Sequence, residues 1–185
     1  APSNLVFLVD ISGSMRSKDK LPLVKSSLLG FLKQLSERDQ VSLVTYSGSV
    51  KTLLKPTRAD KTGLRRMRRA INRLSAAGST AGGAGLARAY ELAQEGWIEG
   101  GNNRVIVATD GDFNVGISSV DEIKRFISER RESGVYLSMF GFGHKNYSDE
   151  NMGALARSGN GNYAFIDSLE ESDRAMRVEL EGMLS

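Results

Sequence analysis

The chain has 185 residues, of which 40% are hydrophobic, and these values fit one globular domain with a single substantial core. Its net charge of +3, from 25 basic and 22 acidic residues, is too small to favour nucleic acid as a partner. The absence of cysteine excludes disulfides and thiolate zinc sites, and the single histidine, His144, leaves little for a histidine-based metal site or a catalytic triad. No apolar stretch approaches the roughly 20 residues that a membrane-spanning helix needs.

Apolar runs alternate with amphipathic stretches along the chain, which is typical of a mostly parallel sheet covered by helices on both faces. The predicted central strands cover residues 5–10, 41–46, 104–109 and 136–142, and a last strand covers 162–166. Residues 50–54 follow the second strand after only three residues, which is too short for a parallel crossover and predicts an antiparallel edge strand. Helical stripes are centred on 23–35, 64–74, 86–93, 120–127 and 152–156, and a closing helix covers 168–184. The pattern predicts a doubly wound, Rossmann-like α/β fold with six strands.

Two predicted strands end in a carboxylate. Asp10 ends the first strand in "LVFLVDISGSM", and Asp110 ends the strand "RVIVATD". Ligands of open α/β sheets bind outside the carboxyl ends of the strands, so these positions are candidates for a site. Ser12 and Ser14 follow Asp10 at alternate positions, and a tight turn at Gly13 would let the three oxygen side chains converge.

A hard cation suits such oxygens. Mg²⁺ prefers octahedral oxygen coordination, keeps some waters and takes only one or two carboxylates. Three donors from one loop are too few, and the other loops at this rim offer Thr80 in "AAGSTAGGAG" and Asp110 in "ATDGDFN". Mg²⁺ is therefore the expected cofactor, with Mn²⁺ or Ca²⁺ as alternatives. Asp110, Asp112 and Asn114 also have the spacing of the start of a calcium-binding loop, but the glycine that such a loop requires at its sixth position is replaced by Val115.

The three motifs "DISGS", "GST" and "TDG", in this order, closely resemble the von Willebrand factor type A (vWA) domain and its metal-ion-dependent adhesion site. "TDGDFNVG" and "GFG" resemble the bacterial branch of that family. The resemblance implies that Ser12 and Ser14 ligate the metal directly, that Thr80 does so in the ligand-competent state, and that Asp10 and Asp110 act mainly through bound water. Direct ligation by Asp110 would satisfy the metal internally and close the site, and in the family this switch is coupled to movement of the last helix.

The charge of such a site predicts its partner. Neutral hydroxyl ligands leave the cation under-neutralised, so its open position attracts an anionic oxygen, such as a Glu or Asp side chain of another protein. We therefore expect a protein-interaction module that is not an enzyme, binds no nucleic acid and inserts no part of itself into a membrane. The alternatives are a phosphohydrolase with Asp10 as nucleophile and a subunit that docks onto an ATPase or chelatase machine. The phosphohydrolase would need an aspartate at position 12, which is Ser12.

Purely structural roles are the alternative for several of these residues. Ser12 or Ser14 could cap the helix that begins near residue 21, since serine is a favoured helix cap. Five arginines on the helix around residues 64–74 predict a solvent-exposed face, with a phosphate-binding patch as the alternative. We expect one domain over residues 1–185, excised from a longer protein because the chain opens without a methionine. The bacterial cell envelope or another extracytoplasmic location is favoured, and the cytoplasm is the alternative.

Overall fold

Six strands form one sheet in the computed structural model, which describes residues 1–78, 82–111, 120–143 and 148–182. The strands are, in chain order, β1 (Ser3–Asp10), β2 (Gln40–Tyr46), β3 (Val50–Arg58), β4 (Asn102–Thr109), β5 (Tyr136–Phe142) and β6 (Asn160–Ile166). Their spatial order is β3-β2-β1-β4-β5-β6, and each neighbouring pair is parallel except β2 and β3. This confirms the predicted doubly wound α/β fold with one antiparallel edge strand.

Helices cover both faces of the sheet. They are α1 (Leu21–Phe31), α2 (Lys61–Asn72), α3 (Gly82–Glu95), α4 (Val120–Arg131), α5 (Ser148–Ser158) and α6 (Leu169–Glu181). Apolar side chains of α1, α2 and α6 form one core cluster with the sheet, and those of α3, α4 and α5 form a second cluster on the other face. Within the described ranges, no helix has the length and apolar character needed to cross a membrane.

The central strand β1 separates the two cores. All eight of its residues are buried, and alternate side chains point to opposite faces: Phe7 and Val9 join the first cluster, whereas Val6 and Leu8 join the second. The chain leaves β1 towards α1 on one face, and it leaves the neighbouring strand β4 towards α4 on the other. The carboxyl ends of β1 and β4 therefore meet at the switch point of the sheet, where open α/β folds bind ligands.

The observed elements differ from the predicted ones mainly at their ends. The strand predicted at 104–109 begins two residues earlier, because Asn102 and Asn103 are buried and pair with β1. Their side-chain amides donate to the carbonyls of Glu179 and Ile98. The closing helix is shorter than predicted: Gly182 has a φ of 72°, a left-handed conformation that ends α6 and that glycine adopts without strain. The predicted arginine face is confirmed, since the following side chains of α2 and its C-cap are exposed: Arg65, Arg66, Arg68, Arg69 and Arg73.

Candidate metal site at the switch point

The Asp10 carboxylate organises the loop that follows β1. Its Oδ1 accepts hydrogen bonds from the backbone N–H of Ser12 at 2.8 Å and from the Ser12 hydroxyl at 2.5 Å. Its Oδ2 accepts a hydrogen bond from the hydroxyl of Thr109, at the end of β4, at 3.3 Å. Asp10 is fully buried, so its charge depends on these hydrogen bonds and on any nearby cation.

Ser12 and Ser14 bring two hydroxyl oxygens to the same point. They flank Gly13 at the start of a short 3₁₀ turn, Gly13–Arg16, and their Oγ atoms lie 3.2 Å apart. Ser12 is buried and Ser14 is exposed, so the pair leads from the strand end to the surface. Because the Ser12 hydroxyl donates its hydrogen to Asp10, its oxygen keeps lone pairs that can coordinate a cation.

The alternative that either serine caps α1 is wrong, since Lys20 precedes that helix and no side chain caps its first turn.

Backbone hydrogen bonds fix this loop against two neighbouring segments. The N–H of Ile11 donates to the carbonyl of Tyr46 at 3.0 Å, which joins the loop to the end of β2. The N–H of Gly13 donates to the carbonyl of Gly78 at 3.0 Å, and the N–H of Ala77 donates to the carbonyl of Ile11 at 2.7 Å. The loop therefore does not depend on its own side chains alone for its shape.

Asp110 lies at the same rim and is paired with a cation of the chain. The side chain of Asp110 is 4% exposed, and its Oδ2 accepts a hydrogen bond from the ammonium group of Lys20 at 3.2 Å. The aliphatic part of Lys20 passes over Gly143, where a Cβ atom would lie 2.8 Å from the lysine Cε. Gly143 also has a φ of 96°, a backbone conformation that favours glycine, and a larger residue there would displace the end of the Lys20 side chain.

The electrostatics of the rim favour a positive charge. Burial raises the pKa of the Asp10 carboxyl above its ordinary value; hydrogen bonds from Ser12 oppose this rise, and the negative charge of Asp110 adds to it. A cation between these groups would stabilise both carboxylates, and the Lys20 ammonium already does so for Asp110. All the donors here are carboxylate or hydroxyl oxygens, the ligand type that Mg²⁺ and Ca²⁺ prefer. The residues present therefore fit a hard divalent cation.

The donors differ from those of a carboxylate cage. Within the part of the chain that the structure describes, no three acidic, histidine or cysteine side chains come together as metal ligands. Thr80, the fifth residue of the predicted ligand set, lies outside the described residues, as do Asp112, Asn114 and His144. The structure brings together Asp10, Ser12, Ser14 and, on the neighbouring strand end, Asp110.

Sequence reasoning missed two residues of this rim. Thr109 binds Asp10 directly, and a signal was available, because it precedes Asp110 in the same strand-end motif. Nothing in the sequence distinguished Lys20, since it is one of two lysines, Lys18 and Lys20, between the serines and α1. Its position over Gly143 depends on how the end of β5 packs beside the loop.

The fold and this rim define a class of protein: a doubly wound α/β domain with an oxygen-lined site at the switch point of its sheet. The sequence matches the von Willebrand factor type A domain family over residues 4–177, which is nearly the whole chain. The chain therefore belongs to this family, whose domains typically act as protein-interaction modules.

Relatives with similar sequences are longer proteins. The chain is 47% identical over 182 residues to the protein YfbK of Escherichia coli (strain K12), a match that covers 98% of this chain and 31% of YfbK. It is 31% identical over 175 residues to the human inter-alpha-trypsin inhibitor heavy chain H3, covering 90% of this chain and 19% of that protein. The chain thus spans about a third or less of the length of these relatives.

Solved structures with the same fold are more distant in sequence. A von Willebrand factor type A structure from Catenulispora acidiphila superposes with a TM-score of 0.82 at 18% identity, covering 99% of this chain and 43% of the other. The protein BatB of Bacteroides thetaiotaomicron gives a TM-score of 0.74 at 19% identity, covering 96% and 97%. At these identities the likeness concerns the fold alone.

Proposed function

We propose that this domain is a divalent-metal-dependent protein-interaction module, in which a cation at the rim binds a carboxylate of a partner protein. The observation that carries the proposal is the arrangement after β1, where two hydroxyl oxygens 3.2 Å apart lie beside the buried carboxylate of Asp10. Asp110, at the end of the adjacent strand β4, supplies the second carboxylate. Mg²⁺ is the proposed cation, with Mn²⁺ or Ca²⁺ as alternatives.

The proposed roles follow the bonding of each side chain. Ser12 and Ser14 ligate the cation directly through their hydroxyls, joined by Thr80 in the ligand-competent state. Asp10 acts through a bound water, and its two oxygens are already engaged by Ser12 and Thr109. Asp110 also acts through water. Mostly neutral direct ligands leave the cation electrophilic, so it favours an anionic oxygen from a partner's Glu or Asp at its open position.

An enzymatic role for Asp10 has less support. A phosphohydrolase nucleophile needs an accessible carboxylate oxygen, whereas Asp10 is 0% exposed and both of its oxygens accept hydrogen bonds. The position that would carry the general acid is Ser12, which has no comparable acidity. We therefore propose that the domain binds rather than catalyses.

The first test is metal binding itself. We expect Mg²⁺ to raise the melting temperature of the domain, because a ligand that binds only the folded state stabilises it. Ser14→Ala should abolish this rise, since it removes a ligand whose hydroxyl is exposed and bonds only to Ser12 among the described residues. Ser26→Ala, which removes an exposed hydroxyl on α1, is the matched control and should behave as wild type.

The second test concerns the partner. Immobilised domain should capture a protein from the native cells in Mg²⁺, and should lose it in EDTA and in the Ser14→Ala variant. The captured protein should then lose binding when Glu or Asp residues of its contact segment are changed to Gln or Asn. Capture that survives both the chelator and Ser14→Ala would show that the metal does not mediate the interaction.

A further inference from the structure

A groove between α1 and the C-terminal end of α2, including residues 74–76 after that helix, lies beside the candidate metal site; we call it the α1/α2 groove. It has a volume of about 430 Å³ and an apolar lining that includes Leu21, Pro22, Leu29 and Leu74. Arg16 and Lys25 also line it. The groove is therefore a surface with an apolar floor and cationic walls.

The cations of this groove are held in place by backbone carbonyls. The ammonium group of Lys25 donates to the carbonyls of Asn72 at 3.1 Å and Leu74 at 2.8 Å, at the C-terminal end of α2. The Arg16 Nε donates to the carbonyl of Ala76 at 3.4 Å. Neither cation forms an ion pair with a carboxylate in the described part of the chain. These bonds fix their positions but leave their charges without a counter-charge.

The basic character continues along α2. Arg68 and Arg65 precede the groove residue Asn72 by four and seven positions, so they lie on the same side of the helix. Both are exposed. Residues 20–36 and 61–90 contain no Asp or Glu, so neither α1 nor α2 supplies an acid to neutralise this side of the domain. The acids nearest in sequence precede the two helices: Asp60 caps α2 at the end away from Asn72, and half-buried Asp19 accepts a hydrogen bond from Ser17.

The groove and the metal rim share backbone. The 3₁₀ turn Gly13–Arg16 carries Ser14 at the rim and Arg16 in the groove. The segment 76–78 also belongs to both sites. Ala76 lines the groove, and the carbonyl of Gly78 accepts a hydrogen bond from the N–H of Gly13 in the rim loop. A bound chain that reaches the rim can therefore continue into the groove along this shared backbone.

We propose that the α1/α2 groove binds an acidic, apolar-containing segment of the protein partner, next to the carboxylate that the metal site captures. The apolar floor binds its hydrophobic side chains. Arg16 and Lys25 bind its carboxylates, together with Arg65 and Arg68 of α2. This inference rests on the proposed function in one respect, namely that the segment belongs to the same partner. The charge complementarity itself does not need the metal.

The test uses a defined probe, a short fluorescein-labelled peptide of Glu-Leu-Leu-Glu repeats, with fluorescence anisotropy in Mg²⁺ and in EDTA. We expect Arg16→Glu/Arg68→Glu to weaken binding about ten-fold or more under both conditions, because reversing two charges turns attraction into repulsion. Ser26→Trp, which places bulk at the groove lining, should weaken it to a similar degree. The matched controls are Arg125→Glu/Arg131→Glu and Gln94→Trp, which alter exposed positions on helices of the opposite face and should bind as wild type.

The outcomes separate the groove from the metal site. Equal peptide affinity of wild type and the groove variants would overturn the inference. If these variants still bound the peptide more tightly in Mg²⁺ than in EDTA, the proposed metal-dependent function would remain supported. Loss in the groove variants with no difference between Mg²⁺ and EDTA would support the groove and contradict the metal-dependent mode. Equal binding of a Lys-Leu-Leu-Lys peptide would overturn the charge argument. Groove-dependent binding of anionic lipid vesicles or an oligonucleotide in place of the peptide would also overturn it.

Discussion

The ammonium group of Lys20 lies 3.2 Å from Oδ2 of Asp110, so the rim that is proposed to hold a divalent cation already contains a monovalent one. Lys20 is 23% exposed and Asp110 only 4%, so the pair is partly shielded from solvent. The ammonium group repels a second cation nearby. The Asp110 carboxylate that pairs with Lys20 is also less able to neutralise that second cation. Lys20 is therefore expected to oppose metal binding.

Replacing Lys20 by methionine should tighten Mg²⁺ binding. Methionine keeps most of the aliphatic packing over Gly143 and removes the charge, so we expect an affinity increase of several-fold, consistent with about 1 kcal/mol for one partly screened charge. Isothermal titration with Mg²⁺ measures it directly. Lys18→Met is the matched control, because Lys18 is exposed in the same connecting segment and should change the affinity little. Weaker binding by Lys20→Met would instead mean that Lys20 positions Asp110 for the metal.

Metal binding should weaken on acidification at a higher pH than an ordinary aspartate would cause. Burial and the charge of Asp110 raise the pKa of Asp10, and Mg²⁺ requires the ionised carboxylate, so protons and metal compete there. Since the folded-state pKa exceeds the unfolded one, the charged form of Asp10 costs stability in the metal-free domain, and this cost disappears as the pH falls through the folded pKa.

The measurement is the Mg²⁺-induced rise in melting temperature, followed from neutral pH down to about 4. The rise should shrink through the raised pKa of Asp10. Asp10→Asn should show no rise at any pH, yet its metal-free form should be as stable as wild type at neutral pH or more stable, by about 1 kcal/mol, because the buried charge is gone. A clear loss of metal-free stability in Asp10→Asn would contradict this interpretation and assign Asp10 a mainly structural role.

The two serines of the site should respond differently to substitution. Ser12 is buried and donates to Asp10 at 2.5 Å, so Ser12→Ala removes a hydrogen bond to a buried charge and should cost about 1–2 kcal/mol of stability without metal. Ser14 is exposed, and Ser14→Ala should leave the metal-free stability within about 0.5 kcal/mol of wild type. Urea unfolding in EDTA measures both, and both variants should lose stabilisation by Mg²⁺. Equal destabilisation would mean that Ser14 also supports the loop.

Local sequence patterns predicted most of the fold and four of the six rim residues that the structure describes, and they missed Thr109 and Lys20. The strand β1 was predictable because a strand buried on both faces needs apolar residues at every position up to Asp10. Asp10, Ser12 and Ser14 come together because they are close in sequence, and Asp110 joins them because β4 pairs with β1. Lys20 was not predictable, since its contact with Asp110 spans 90 residues and depends on Gly143 at the end of a third strand.

A buried ion pair at the opposite end of β4 was equally hidden from the sequence. Arg104 directly precedes the apolar run 105–108 in the predicted strand, and its partner Glu179 is 75 residues away on α6. An arginine in a buried strand predicts an acidic partner, but the sequence does not show which acidic residue it is. The pairing becomes visible only when α6 is placed against the sheet.

The pair of Arg104 and Glu179 should be the most sensitive point of the core. Their atoms Nη1 and Oε2 lie 2.9 Å apart, both side chains are almost fully buried, and Ser138 and Asn162 also donate to the glutamate. Burial raises the pKa of the Glu179 carboxyl, opposed by the charge of Arg104 and by these hydrogen bonds, so an isolated charge here would be costly. Glu179→Gln leaves Arg104 buried without its counter-charge.

We expect Glu179→Gln to lower the free energy of unfolding by about 3–5 kcal/mol, whereas Arg104→Met/Glu179→Leu, which removes both charges, should cost clearly less. The contrast arises because an unpaired buried charge is worse than a well-packed apolar pair, and urea unfolding of the three proteins measures it. The exposed pair of Arg174 and Glu171 is the control, since Arg174→Ala should change stability by less than about 1 kcal/mol. A double variant as unstable as Glu179→Gln would mean that the hydrogen bonds to the glutamate, rather than the charge balance, anchor α6 to the sheet.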